Sequence, residues 1–105
     1  MQVLALSRRL PAATPAAMAA LAQEEALAAH RLISRGVLRS AHMCPERPGA
    51  VLVLECTGLE EAREHLGTLP MVRAGLIDFD VSRMLPYTSY TALFKDDFRA
   101  EGSAR

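Results

Sequence analysis

The hydrophobic positions along this chain change their period several times, and each change marks an element. Residues 3–9 (VLALSRR) form a compact β-like run. Leu10-Pro11 ends it, because proline lacks a ladder donor and constrains the residue before it. Thr14-Pro15 supplies an N-cap followed by proline at the first helical position. Strong helix formers then fill residues 15–35, and Gly36 provides the left-handed stop. Met18, Leu21, Ala22, Ala29, Leu32 and Ile33 share one helical stripe. Glu25 falls between Ala22 and Ala29. A carboxylate on a buried face requires a partner or a solvated cleft. The other reading sets Glu25 at the edge of a loosely defined, Ala-rich face.

Residues 37–43 read as a second strand and residues 44–49 (CPERPG) as a turn-rich connection. Residues 50–56, rich in β-branched and aliphatic side chains, form a third strand. Thr57 or Gly58 opens a shorter helix over residues 59–69. Leu59, Ala62, Leu66 and Leu69 give its repeat, and Pro70 is its expected stop. Residues 76–82 form a fourth strand, with Ile77, Phe79 and Val81 on one side and Leu76, Asp78 and Asp80 on the other. Residues 86–94 (PYTSYTALF) are too apolar to lie free in water. The expected domain therefore spans residues 1–94. A polar tail, residues 95–105, is expected to be disordered.

The order β-α-β-β-α-β is that of the ferredoxin-like, split βαβ motif, an α+β fold. Right-handed crossovers place both helices on one face of a four-stranded antiparallel sheet. Residues 50–54 (AVLVL) are nonetheless apolar on both faces, whereas a strand with one wet face alternates. Two helices cannot cover both faces. The expected cover for the second is another copy of the same sheet, giving a homodimer or higher oligomer. The apolar residues 86–94 could serve as an exchanged arm, with a pocket between or beneath the paired sheets.

Composition narrows the classes. The 105 residues suit one domain, and a chain that is 50% hydrophobic and 23% charged is globular. Twelve basic residues balance twelve acidic ones, so there is no cationic excess for phosphates and no nucleic-acid partner is expected. Cys44 and Cys56 are too few for a disulfide framework and read as reduced thiols of a cytoplasmic protein. No apolar stretch has membrane-span length, and arginines follow the first apolar residues rather than precede them, the wrong order for a signal peptide.

His30, His42 and His65 lack a paired metal-ligand spacing, and no glycine-rich phosphate loop or nucleophile elbow is present. Neither a metal nor a cofactor is expected. His42 and Cys44 form a candidate nucleophile pair at a strand end. The other polar candidates on core elements are Glu25, Arg39, Ser40, Glu55, Asp78 and Asp80. Arg39 stands mid-strand, where a planar guanidinium either salt-bridges a carboxylate or binds an anionic ligand. A carboxylate beside such a pocket acts as a general base if burial tunes its pKa.

A set of these residues, spread over about residues 1–90, resembles the muconolactone isomerase family. Arg9-Leu10-Pro11 matches a basic residue followed by Leu-Pro. Glu25 matches a family glutamate, Leu32 and Gly36 coincide, and Arg39 falls on the strand arginine. Glu55 takes an acidic position at the end of the third strand. Glu60, Leu66 and Leu69-Pro70 keep register, and Asp78-Phe79-Asp80-Val81 resembles the last strand. Pro86 and the residues after it resemble a proline-containing arm. The resemblance implies a dimeric α+β barrel that assembles further, a decamer in the best-known members. It implies a cofactor-free isomerase of a small carboxylate-bearing lactone in aromatic-compound catabolism. Glu25 would be the proton shuttle and Arg39 the cation for the substrate carboxylate, with Ser40, His42, Glu55 and Asp78 as substrate-binding candidates. Leu38, Ser40 and His42 replace aromatic and histidine residues of the family, so the implied pocket is altered. Two other functions fit the same fold: a non-catalytic small-molecule-binding protein, and a cofactor-free monooxygenase or dehydratase-like enzyme.

Overall fold

The structure, a computed structural model, describes residues 1–95. Four strands, β1 (Gln2–Arg9), β2 (Leu38–Cys44), β3 (Arg47–Glu55) and β4 (Ile77–Met84), form one sheet in the order β2-β3-β1-β4. All three pairings are antiparallel. Two longer helices, α1 (Pro15–Ser34) and α2 (Leu59–Leu66), and a single turn, α3 (Pro70–Arg73), complete the domain. This is the α+β architecture that the element order predicts.

The register decides which residues meet the helices. Val3 lies opposite Leu54 and Ala5 opposite Leu52 on β3, while Ser7 lies opposite Phe79 on β4. The period of two then sends Val3, Ala5, Leu52 and Leu54 to one face and Leu4, Leu6, Val51 and Val53 to the other. Val3, Ala5 and Leu54 are fully shielded, together with Leu32 of α1 and Ala62 and Leu66 of α2. Both helices therefore cover the same face. Full burial of a side chain such as Leu54 contributes about 1.5–3 kcal/mol. Among the described residues no helix covers the second face, where Leu4, Leu6, Val51 and Val53 are half-buried.

α1 begins as its sequence dictates. Thr14 Oγ1 accepts the Ala17 N–H at 3.1 Å, and Pro15 occupies the first turn. Its inward stripe is rotated from the expected one. Met18, Leu21, Glu25, Ala28, Ala29 and Leu32 face inward, while Ala22 and Ile33 are exposed. Alanine is small enough to satisfy either face, so the Ala-rich repeat left the rotation open. The structure fixes it by seating Leu32 in the core, and Glu25 then lies within the stripe, not at its edge.

The second helix is shorter than expected. α2 ends at Leu66, with Gly67 as its cap, and Pro70 begins α3 rather than stopping α2. Proline cannot donate the bond that would continue α2, but its fixed φ suits a first helical position. Leu76, expected beside Asp78 and Asp80, instead precedes β4 and is buried against Met71 and Ile77. The connection expected over residues 44–49 is largely strand: Cys44 pairs with Arg47, and only Pro45 and Glu46 make the turn. Pro48 and Gly49 are extra residues on β3 between that pair and Met43–Ala50. Gly49 adopts φ +116°.

After β4 a 3-10 helix, Thr88–Phe94, has no buried residue. Tyr87 and Tyr90 meet edge to face at 4.8 Å, and Phe94 is 82% exposed. The polar tail expected to be disordered lies, beyond Lys95, outside the described residues.

Candidate functional site

Between the helices and the sheet lies a cavity of about 330 Å³. That is the small end of the range for ligand pockets. Its walls are aliphatic and thioether side chains together with Phe79, and among the described residues its polar lining is Ser7, Arg9 and Glu25. Ser7 and Arg9 arrive by the alternation of β1, since they continue the face of Val3 and Ala5. Glu25 arrives from the inward stripe of α1.

Glu25 is held by the turn that follows α2. The Met71 N–H donates to Glu25 Oε1 at 2.9 Å. Met71 follows Pro70 at the start of α3, where the first N–H groups have no partner within the helix. The carboxyl thus satisfies a donor that the new helical turn leaves open. Burial pushes the Glu25 pKa above the ordinary carboxylate value, and the Met71 hydrogen bond offsets this only in part. A carboxyl whose pKa is raised by burial takes up a proton more readily than an exposed one does, and can return it.

Ser7 is 4% exposed. Its Oγ accepts the Ala50 N–H at 2.7 Å, which extends the contact between β1 and β3 past the last regular pair, Leu6 and Val51. Arg9 is exposed and is a cationic residue of the cavity lining.

The other expected site residues lie elsewhere in the single chain. Arg39 is exposed at a register shift in β2 and does not line the cavity. Ser40 pairs with Val53 and His42 with Val51, so both belong to the second sheet face. Glu55, on that face too, binds the N-terminal ammonium at 2.7 Å. That contact holds its pKa below the ordinary value, with a smaller contribution from the charge of Arg39. Both oxygens of Asp78 accept from Arg8, at 2.6 and 3.2 Å, and this pairing lowers the Asp78 pKa. Asp80 lies 3.8 Å from the same guanidinium. Cys44 is outside the cavity lining, as is His42. The structure therefore brings Glu25 to the cavity and leaves Arg39, Ser40, His42, Glu55 and Asp78 outside it. Among the described residues, no group of three or more His, Cys, Asp or Glu side chains could hold a metal ion.

Ser7 and Arg9 did not emerge from the polar candidates of the sequence. The available signal was the alternation Val3, Ala5, Ser7, Arg9, which carries two polar residues onto a buried face.

No model of a protein family and no curated protein matches the sequence. Solved structures do. The chain is similar to 5-chloro-2-hydroxyhydroquinone dehydrochlorinase (TftG) from Burkholderia phenoliruptrix AC1100, solved in complex with 2,5-dihydroxybenzoquinone. The TM-score is 0.66 and the identity 15%, over 81% of this chain and 94% of that one. At that identity the likeness is one of fold. It supports the ferredoxin-like α+β class and does not show membership of the muconolactone isomerase family. The chain shares the α+β fold of that dehydrochlorinase, with the Glu25 carboxyl set into the apolar cavity beneath its helices.

Proposed function

We propose that this chain is a cofactor-free enzyme of aromatic-compound breakdown that moves a proton on a small unsaturated ring substrate, as an isomerase of a carboxylate-bearing lactone does. The observation that carries this reading is Glu25, a half-buried carboxyl of raised pKa in the wall of a cavity of about 330 Å³. In the proposed reaction the Glu25 carboxylate takes a proton from one ring carbon. The electron pair delocalises into the conjugated system, and the neutral carboxyl returns the proton to another ring carbon. No atom is gained or lost, so the product is an isomer. Burial favours the neutral carboxyl formed midway. In this reading Arg9, not Arg39, offsets the substrate carboxylate. The ring compound in the TftG complex, 2,5-dihydroxybenzoquinone, also supports a ring substrate.

We further propose that the enzyme is a homo-oligomer in which two sheets meet through Leu4, Leu6, Val51 and Val53. The exposed residues Tyr87, Tyr90 and Phe94 support an arm that crosses to a partner. Among the described residues no helix is long and apolar enough to cross a membrane.

The test is turnover of muconolactone followed by ultraviolet absorbance, with Glu25→Gln as control. Turnover lost in the variant supports the mechanism, and unchanged turnover removes Glu25 from it. If the wild type gives no turnover but small ring carboxylates raise its Tm, the chain is a binding protein of the same fold.

A further inference from the structure

The cavity holds one polar group whose hydrogen-bonding capacity is only half used. Ser7 Oγ accepts the Ala50 N–H at 2.7 Å. A hydroxyl also carries one donor proton. Among the described residues no acceptor receives it, although the residue is 4% exposed and lines the cavity. A buried donor is normally paired.

The surroundings hold that hydroxyl in place at the cavity wall. The bond from Ala50 fixes one lone pair and so restricts the side-chain rotamer. Gly49, beside it, has φ +116°, and a Cβ there would stand 2.8 Å from Ser7 Oγ and 2.6 Å from the Ser7 carbonyl oxygen. Only a glycine leaves the space that the hydroxyl occupies. Phe79 lies opposite Ser7 on β4, and Arg9 follows two residues along the same face of β1. Serine is therefore a single neutral donor set among apolar walls, separate from the Glu25 carboxyl on the opposite, helical wall.

We propose that the Ser7 hydroxyl donates a hydrogen bond to a carbonyl-type oxygen of the ring ligand and thereby selects ligands that carry one. This rests on the reading of the cavity as a ligand site and specifies what that site recognises. A carbonyl conjugated with the reacting carbons gathers negative charge when Glu25 removes a proton. A fixed donor at that oxygen strengthens as the charge develops. The ligand class is then a small ring bearing an oxygen acceptor at one position, its remaining edge in contact with aliphatic groups.

The test uses acetophenone and its oxygen-free counterpart ethylbenzene, which differ by the acceptor. Affinity is read by ligand-observed NMR, and the carbonyl band of bound acetophenone by infrared difference spectroscopy. The wild type is expected to prefer acetophenone by about three- to tenfold, the range of one neutral hydrogen bond, with its carbonyl band shifted to lower frequency. Ser7→Ala is expected to abolish both the preference and the shift while still binding ethylbenzene. Ser7→Thr, which keeps a hydroxyl, is expected to restore them. If Ser7→Ala impairs folding, the wild-type carbonyl band and the Ser7→Thr variant still decide the matter. A band at the unbonded position in the wild type, or a preference that survives in Ser7→Ala, overturns the assignment of Ser7 alone. Failure of the wild type to bind either compound overturns the cavity reading beneath it.

Discussion

Gly49→Ala tests the packing at the bulge most sharply. The native φ of +116° is one that L side chains rarely adopt. Holding alanine there costs about 1–3 kcal/mol. The added Cβ would also stand 2.6 Å from the backbone oxygen of Ser7 and 2.8 Å from its Oγ. The oxygen belongs to β1, which is paired on both sides, so relief requires a shift of backbone and costs roughly a further 1–3 kcal/mol. The combined loss is about 2–6 kcal/mol against a total of about 5–15 kcal/mol for a domain of this kind. In a domain of this size it lowers Tm on the order of 10–30 °C. Gly36→Ala is the control, because Gly36 has φ +76° with nothing within 4 Å of its Cβ position. It carries only the backbone penalty, about 1–2 kcal/mol. The loss of unfolded-state freedom on replacing glycine is common to both variants and cancels in the comparison. Urea unfolding followed by circular dichroism, with thermal melts alongside, gives both values. Equal losses at the two positions would refute the argument that β1 crowds Gly49.

Burial lets the native chain hold the Glu25 proton more tightly than the unfolded chain does. Stability therefore declines as pH rises from the ordinary carboxylate range through the raised value, and stays lower above it. Glu25→Gln keeps an oxygen for Met71 and removes the charge, so its Tm exceeds that of the wild type at pH 7. The difference closes below roughly pH 4, where both states are protonated. Melts across that range check the sign. Leu54→Ala opens a hole in the fully shielded centre of the sheet and lowers stability by about 2–5 kcal/mol in urea titrations. Asp78→Asn breaks an exposed pair with Arg8 and is expected to leave Tm nearly unchanged. Leu6→Lys places a charge on the sheet face opposite the helices; sedimentation velocity is expected to show an oligomer for the wild type and a monomer for the variant.

The element order and the sheet were legible because each rests on strong local chemistry: Thr14-Pro15 at a helix start, aliphatic runs in the strands, Gly36 at a helix end. The rotation of α1 was not, since Ala22 and Ala28 are equally acceptable on either face until Leu32 finds its place. Pro70 misled for a related reason. Proline ends one helix and begins the next with the same ring, and only the path of residues 67–69 decides which. On the strands, residue type alone does not tell which face a polar side chain takes, because a one-residue change of phase sends it to the opposite face. Arg39 sits at a register shift between Leu38 and Ser40, so its direction could not be read from alternation. Asp78 and Glu55 were recognisable as charged but not as already engaged, because their partners, Arg8 and the terminal ammonium, are distant in sequence.

Glu25 was legible as an anomaly, and the structure supplies its physical reason. A carboxyl in an apolar wall is unfavourable unless something receives it. The short α3 does so because it starts afresh at Pro70: a continuous α2 running through residue 71 would have bonded the Met71 N–H within its own helix. The break between α2 and α3 therefore creates a free donor beside the cavity, and α1 meets it with the one carboxylate on its inner stripe. One hydrogen bond is enough to orient the group and too little to cancel the effect of burial. The carboxyl is left positioned, with a pKa above the ordinary carboxylate value, which suits the proton transfer proposed for it. The same reasoning links Ser7 to Gly49 on the opposite wall, where a bulge in β3 gives a hydroxyl one fixed partner and leaves its proton unclaimed. Both of these polar contacts thus arise where a regular element is interrupted: an unbroken helix or ladder would have bonded the Met71 or the Ala50 N–H itself and left Glu25 or Ser7 without the donor that orients it.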